Sequence, residues 1–259
     1  CEPVQLPADV RMPDGAVYDG DTEDNLFHGQ GSLTWPDGRY YEGEFQQGLM
    51  TGEGRLEGRD GCVQEGHFVN GVLNGEGSYT CPDASYQGQF TNGELTKGSV
   101  AYLDDNSYQG EFRDFQPHGQ GLWVTASAEQ FEGTFAEGYM VKGTYRNEEG
   151  YHYQGEFDFF TFEGKGELTR PDGVVIRATF ENGHAEGPGT RTRPRDEGEP
   201  VVEKGFFVRG DYYPSEKTWR QRKQQQAAAM EARLYTESSR LQSVLSSLAP
   251  QRPGVRDVY

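Results

Sequence analysis

Residues 40–61 read YYEGEFQQGLMTGEGRLEGRDG. Tyr41, Gly43 and Phe45 alternate with Glu42 and Glu44, and after a polar break at Gly48 the chain continues through Gly52, Gly54 and Leu56. Alternation with period two puts the aromatic residues and Gly43 on one side of a strand and both glutamates on the other. The break reads as the turn of a hairpin. Glycine ordinarily weakens a strand, because it packs against nothing and loses more backbone entropy than other residues. Its recurrence at alternate positions implies that something nearby needs the room.

The stretch is one copy of a repeat. Aligned on Gly43, the anchors are Gly20, Gly43, Gly66, Gly88, Gly110, Gly133, Gly155, Ala178 and Gly205, at steps of 22 or 23 residues and a last step of 27. Two positions before each anchor stand Tyr18, Tyr41, Gln64, Tyr86, Tyr108, Phe131, Tyr153, Ile176 and Glu203. Two positions after it stands Thr22 and then phenylalanine every time: Phe45, Phe68, Phe90, Phe112, Phe135, Phe157, Phe180 and Phe207. Such a period marks an array in which each unit is one supersecondary element that cannot bury its own face.

The punctuation keeps phase. Turn residues recur at Pro13-Asp14-Gly15, Pro36-Asp37-Gly38, Asp60-Gly61, Pro82-Asp83 and Pro171-Asp172-Gly173. A second turn follows the phenylalanine at Gly48, Asn70-Gly71, Asn92-Gly93, Gly138, Asn182-Gly183 and Gly210. Between the turns lies a GxG pair, at Gly29/Gly31, Gly52/Gly54, Gly75/Gly77, Gly119/Gly121, Gly164/Gly166 and Gly187/Gly189. Units four and six keep only Gly98 and Gly143, one position out of phase.

This combination of YxGxF, GxxxGxG and DG resembles the MORN repeat (membrane occupation and recognition nexus) from about residue 13 to 210. The resemblance implies an elongated single-layer antiparallel sheet of consecutive hairpins, in a family whose members serve mainly as scaffolds and assembly platforms. It points to cytoskeletal or ciliary (axonemal) assemblies, radial spoke heads among them. Gln64 and Glu203 depart from the tyrosine position and Ala178 from the anchor glycine.

The fold expected is therefore an all-β repeat of about nine hairpins followed by one long helix. Residues 1–12 form an arm, 13–213 the repeat sheet, 214–249 the helix and 250–259 an extended tail. Aromatic rings lying flat over glycines of neighbouring strands would let one layer bury large side chains. At about 4.8 Å per strand, nine hairpins span on the order of 80–90 Å before twist. With Gly66 opposite Gly77, Cys62 falls opposite Cys81, close enough for a bridge where the compartment allows one.

Charge narrows the partners. The 259 residues carry a net charge of -18, with 42 acidic against 24 basic side chains. An acidic surface argues against nucleic acid and against anionic membrane. No apolar run approaches the roughly 20 residues that span a bilayer, so direct membrane insertion is not expected. The opening Cys1 without methionine leaves truncation, trimming and organellar import open. The face opposite the aromatic row carries Glu42, Glu44, Glu65, Gln87, Gln89, Gln109, Glu111, Glu132, Gln154 and Glu156, either a solvated face or a docking strip for a basic partner.

After Pro214, residues 215–248 contain no glycine or proline and favour helix, with Ser215 as N-cap and a length of roughly 50 Å. From residue 215 onward eight basic residues face four acidic ones, whereas the repeats carry 16 and 38. Trp219 with Arg222, and the seam Met230, Leu234, Leu241, Val244, Leu245 and Leu248, are the candidate partner-binding residues. Either the helix lies on its own sheet or it docks on another chain.

Chemistry is sparse. The repeated GxG sits inside a hairpin, without the strand-to-helix setting of a phosphate loop. His28 and His118 precede GxG and read as loop packing, and the cysteines lack zinc spacing. No catalytic, cofactor or metal residue is assigned. The function expected is a non-enzymatic scaffold that assembles with other protein subunits. The alternatives are the regulatory module of a larger enzyme, such as a lipid kinase or lysine methyltransferase, and an accessory subunit of an organellar complex. A helix followed by only a short tail favours the scaffold.

Overall fold

Period-two alternation becomes a two-faced sheet in a computed structural model that describes residues 10–248. Its strands form one 19-stranded antiparallel sheet in which each strand pairs with its neighbours in sequence. Among the described residues there are nine hairpins: 17–34, 40–57, 63–80, 84–102, 107–124, 130–146, 152–169, 175–193 and 201–213. We number them one to nine. A short strand, Val10–Arg11, within the stretch expected to be an arm, pairs with the edge of hairpin one.

Each hairpin closes on a two-residue turn with both residues at positive φ. Asn70-Gly71, for example, has φ of 51° and 86°, the twist that joins right-handed strands without splaying them. Three of these turns were not legible as such, because neither residue is glycine: Asp24-Asn25, Asp114-Phe115 and Phe159-Phe160. In six hairpins the N–H of the second turn residue donates to a carbonyl on the return strand of the hairpin before it, as Gly71 N does to Met50 O at 2.9 Å. Several of the turns that lead into a hairpin are closed by aspartates, and those before hairpins six and seven by Thr125 and Asn147. Asp14, Asp60, Asp104 and Asp172 each accept the N–H two residues on, at 3.0–3.2 Å.

A file of glycines crosses the sheet along the hydrogen-bonding direction. Gly20, Gly31, Gly43, Gly54, Gly66 and Gly77 pair in succession, and the file runs on to Gly205 with Ala178 as its one substitution. Gly98 and Gly143 belong to it, opposite Gly88 and Gly133. They are in register, not out of phase. The spacing differs because of a bulge between the file and the turn. In hairpin three the ladder goes from Gly66↔Gly77 to Phe68↔Leu73, whereas in hairpin four it goes from Gln89↔Lys97 to Phe90↔Leu95, a shorter bulge. A single register therefore holds only on the file side of hairpin three, which is the side that places Cys62 against Cys81. These two form a disulfide with Cα atoms 4.2 Å apart.

The core lies on the aromatic face. All eight phenylalanines of the row are buried, from Phe68, Phe180 and Phe207 at 0% exposure to Phe112 at 7%. Tyr18, Tyr41, Tyr108 and Tyr153 are equally buried. The C-terminal helix, Glu216–Leu248, is capped by Ser215, whose Oγ accepts Thr218 N at 3.3 Å.

Candidate interaction surfaces

The tyrosines explain why the glycines are there. The bulge strips two carbonyls of their ladder partners, and a buried unpaired carbonyl costs about 1–3 kcal/mol. Each tyrosine reaches over the glycine pair and shares its single hydroxyl proton between the two carbonyls. Tyr108 bonds Glu111 O at 3.0 Å and His118 O at 3.1 Å, and Tyr153 bonds Glu156 O at 3.1 Å and Glu163 O at 3.2 Å. A Cβ at Gly54, Gly121 or Gly166 would fall inside the ring of Tyr41, Tyr108 or Tyr153. His28 and His118 matter here through their backbone: their carbonyls accept from Tyr18 and Tyr108. Burial, with Glu44 and Glu111 adding to it, pushes the phenols of Tyr41 and Tyr108 up to about 12.

In hairpins three, four and six another side chain occupies that socket: Leu73, Leu95 or Met140, each buried to 1% or less. In hairpins four and six the aromatic residue before the anchor is then displaced from the socket, Tyr86 to a half-buried position and Phe131 still within the core. Tyr86 stacks near Tyr79 at 6.2 Å between centroids, and Phe131 lies 4.9 Å from Tyr145. The next hairpin's turn covers each: Phe115 sits 5.4 Å from Tyr86, and Phe160 sits 5.1 Å from Phe131.

The opposite face is polar. Of its ten expected residues all are exposed except half-buried Glu44. Arginines punctuate the acid, as where Arg55 bonds Glu65 at 2.8 Å; on the aromatic face Glu203, standing at a tyrosine position, holds Arg191 and Arg193 at 2.8 and 2.9 Å. The two guanidinium groups hold the Glu203 carboxyl below the usual carboxylate range. At the hairpin tips the polar face also carries two apolar strips that alternation alone did not reveal. One is Leu26, Leu49, Val69 and Val72; the other is Tyr139, Val141 and Phe159, the last 63% exposed.

Trp219 was expected among the partner-binding residues, but its own sheet holds it. The indole stacks on Phe206 at 5.2 Å and its N–H donates to Phe207 O at 3.0 Å. Lys223, 3.3 Å from Glu186, extends this anchor by one turn. The signal was in the sequence as the +4 tail beside the -22 body, read there as permitting either arrangement. Beyond the anchor most of the described side chains of the helix are exposed. Arg222 is exposed, and Met230 and Leu234 are 65% and 56% exposed. The side chains of Leu241, Val244, Leu245 and Leu248 lie outside the described residues, as do residues 249–259.

Among the described residues no helix is long and apolar enough to cross a membrane, and no group of three or more His, Cys, Asp or Glu is placed to hold a metal ion.

Compared with known families, the chain matches the MORN repeat at residues 18–38, 41–63, 65–85, 108–127, 153–175 and 178–195. No curated protein matches it. Among solved structures it is similar to the TCP10 domain of Danio rerio CPAP in complex with a peptide of Danio rerio STIL, at 11% identity and a TM-score of 0.35, covering 76% of this chain and 82% of that one. It is also similar to the SAS-4 (dCPAP) TCP domain of Drosophila melanogaster in complex with a proline-rich motif of Ana2 (dSTIL), at 12% identity and a TM-score of 0.24, covering 75% and 87%. Both scores are too low to carry an inference.

Proposed function

Because the chain is a MORN-repeat protein, a repeat scaffold or interaction module, we propose that it is a non-enzymatic subunit that joins other proteins into an assembly through its sheet and helix. One observation carries this reading. The helix is anchored to hairpins eight and nine by Trp219 and Lys223, yet it exposes Met230 and Leu234 further along. Most of a helix's stability in a protein comes from packing an amphipathic face, and the apolar positions along this 33-residue helix gain by burial against another chain.

Replacing Leu234, Leu241 and Leu248 together with glutamate tests the reading. The repeat sheet should stay folded while the protein loses partners that copurify with the wild type. Copurification of every wild-type partner at wild-type yield would move the docking function from the helix to the sheet.

The disulfide favours a second reading of the setting. Bridges such as Cys62–Cys81 persist in oxidising compartments and are rare in the cytosol. This supports an organellar or secretory setting over the cytoskeletal or ciliary one, which rests on family resemblance. Alkylating free thiols in acid-quenched cells and weighing the purified protein decides between them: two blocked cysteines at 62 and 81 would favour the reducing compartment.

A further inference from the structure

Hairpin three lacks the aromatic residue before its anchor, as do hairpins eight and nine, where Ile176 is buried at that position and Glu203 is bound by arginines. The socket of hairpin three is filled by Leu73, as Leu95 and Met140 fill theirs in hairpins four and six. In those two hairpins the displaced ring, Tyr86 or Phe131, lies against the strand partner opposite, and the next turn lays a phenylalanine over it. Hairpin three has Gln64 in place of the ring, and the next turn is Asn92-Gly93. A pocket of about 490 Å³ opens there, bounded by Leu56, Cys62, Gln64 and Tyr79, with Arg39 and Arg59 at its mouth. Gln64 pairs directly with Tyr79, as Phe131 pairs with Tyr145.

We propose that this pocket receives an aromatic side chain of another protein, flanked in that protein by carboxylates, which completes the file by stacking on Tyr79. The geometry of the ring comes from the equivalent pair in hairpin six, with centroids 4.9 Å apart. The charge of the flanks comes from the mouth. In a sheet that is acidic overall, Arg39 is already paired with Asp37 and Asp60 already accepts Cys62 N at 3.1 Å, which leaves Arg59, exposed and in no ion pair among the described residues, as the cation open to a ligand carboxylate. Arg39 is held over Trp35 at 4.8 Å and beside Asp37 at 2.9 Å, so it is oriented before a ligand arrives. The site is remote from the anchored helix and does not depend on what the helix binds.

The test uses the full chain and the tripeptide acetyl-Asp-Phe-Asp-amide, followed by amide chemical shifts. Binding in the millimolar range or tighter is expected, with shifts concentrated at Gly58–Gln64 and Tyr79. Acetyl-Lys-Phe-Lys-amide and acetyl-Asp-Ala-Asp-amide should each bind at least about tenfold more weakly. Gln64→Tyr supplies the missing ring from within, and should abolish the shifts while leaving the melting temperature unchanged or higher. Should that variant misfold, Arg59→Ala, at an exposed position, should weaken binding of the acidic peptide several-fold and leave the lysine peptide unaffected. No shift at about 5 mM peptide, or equal binding by Gln64→Tyr, or equal binding of all three peptides, would overturn the proposal.

Discussion

At the scale of single residues, the design turns on a phenol above two glycines. Tyr108→Phe keeps the ring and removes the hydroxyl proton shared between Glu111 O and His118 O, and should lower stability by about 1–3 kcal/mol in urea titrations. Gly121→Ala puts a methyl where that ring lies, so the ring must leave, and the loss should be larger than for Tyr108→Phe. Phe112→Ala, which empties a site 7% exposed, should cost about 3–5 kcal/mol. The phenols also set an alkaline limit. An unfolded tyrosine titrates near 10, whereas Tyr41 and Tyr108 hold their protons to about 12. Their contribution is thus fully present below about pH 10 and lost as pH rises toward 12, where circular dichroism should show the sheet unfolding. Aromatic rings over glycine were legible in Tyr41-Glu-Gly-Glu-Phe45, since the alternation puts all three on one face. The hydroxyl bonds were not, because the bulge that frees the carbonyls is invisible to periodicity.

At the scale of the hairpin, turn chemistry separates what is packed from what is strained. Phe159 and Phe160 both hold positive φ, at 45° and 63°, where a bulky residue costs on the order of 1 kcal/mol or more. Phe160 is compensated by Trp123 at 5.3 Å and Phe131 at 5.1 Å; Phe159 is largely exposed. Phe159→Gly should therefore stabilise the protein by about 1 kcal/mol, while Phe160→Gly should destabilise it, both read from denaturant midpoints. The staple in hairpin three is a second element-scale feature. Reducing Cys62–Cys81, which are 19 residues apart, should remove about 3 kcal/mol, with hydrogen exchange rising first in residues 58–84. Asn-Gly turns announced themselves in the sequence and Phe-Phe could not, for its conformation is imposed by the aromatic groove of the hairpin before it. The short bulges of hairpins four and six likewise looked like lost phase, although Gly98 and Gly143 had stayed in place.

Over the whole molecule, the helix tests how far the sheet extends its control. Trp219→Ala removes the stack on Phe206 and the bond to Phe207 O, and limited proteolysis should then cut within 216–237 while the repeats resist. Early cleavage inside the repeats instead would show that the helix supports the sheet. The split between sheet and helix was legible because glycine and proline stop abruptly after Pro214. The anchoring of Trp219 was not, since a basic aromatic cluster fits its own acidic sheet as well as a neighbour's. The bonds that tie six of the turns to the hairpin before them bear on distance. They fix the advance per unit, so the array behaves as a ruler with graduations of about 9–10 Å, two strand spacings. A partner seated at hairpin three and one held by the helix would be kept at a separation set by the number of units between them. Excising hairpin five with its linker, residues 107–129, should shorten the spacing between dyes at positions 37 and 217 by one graduation.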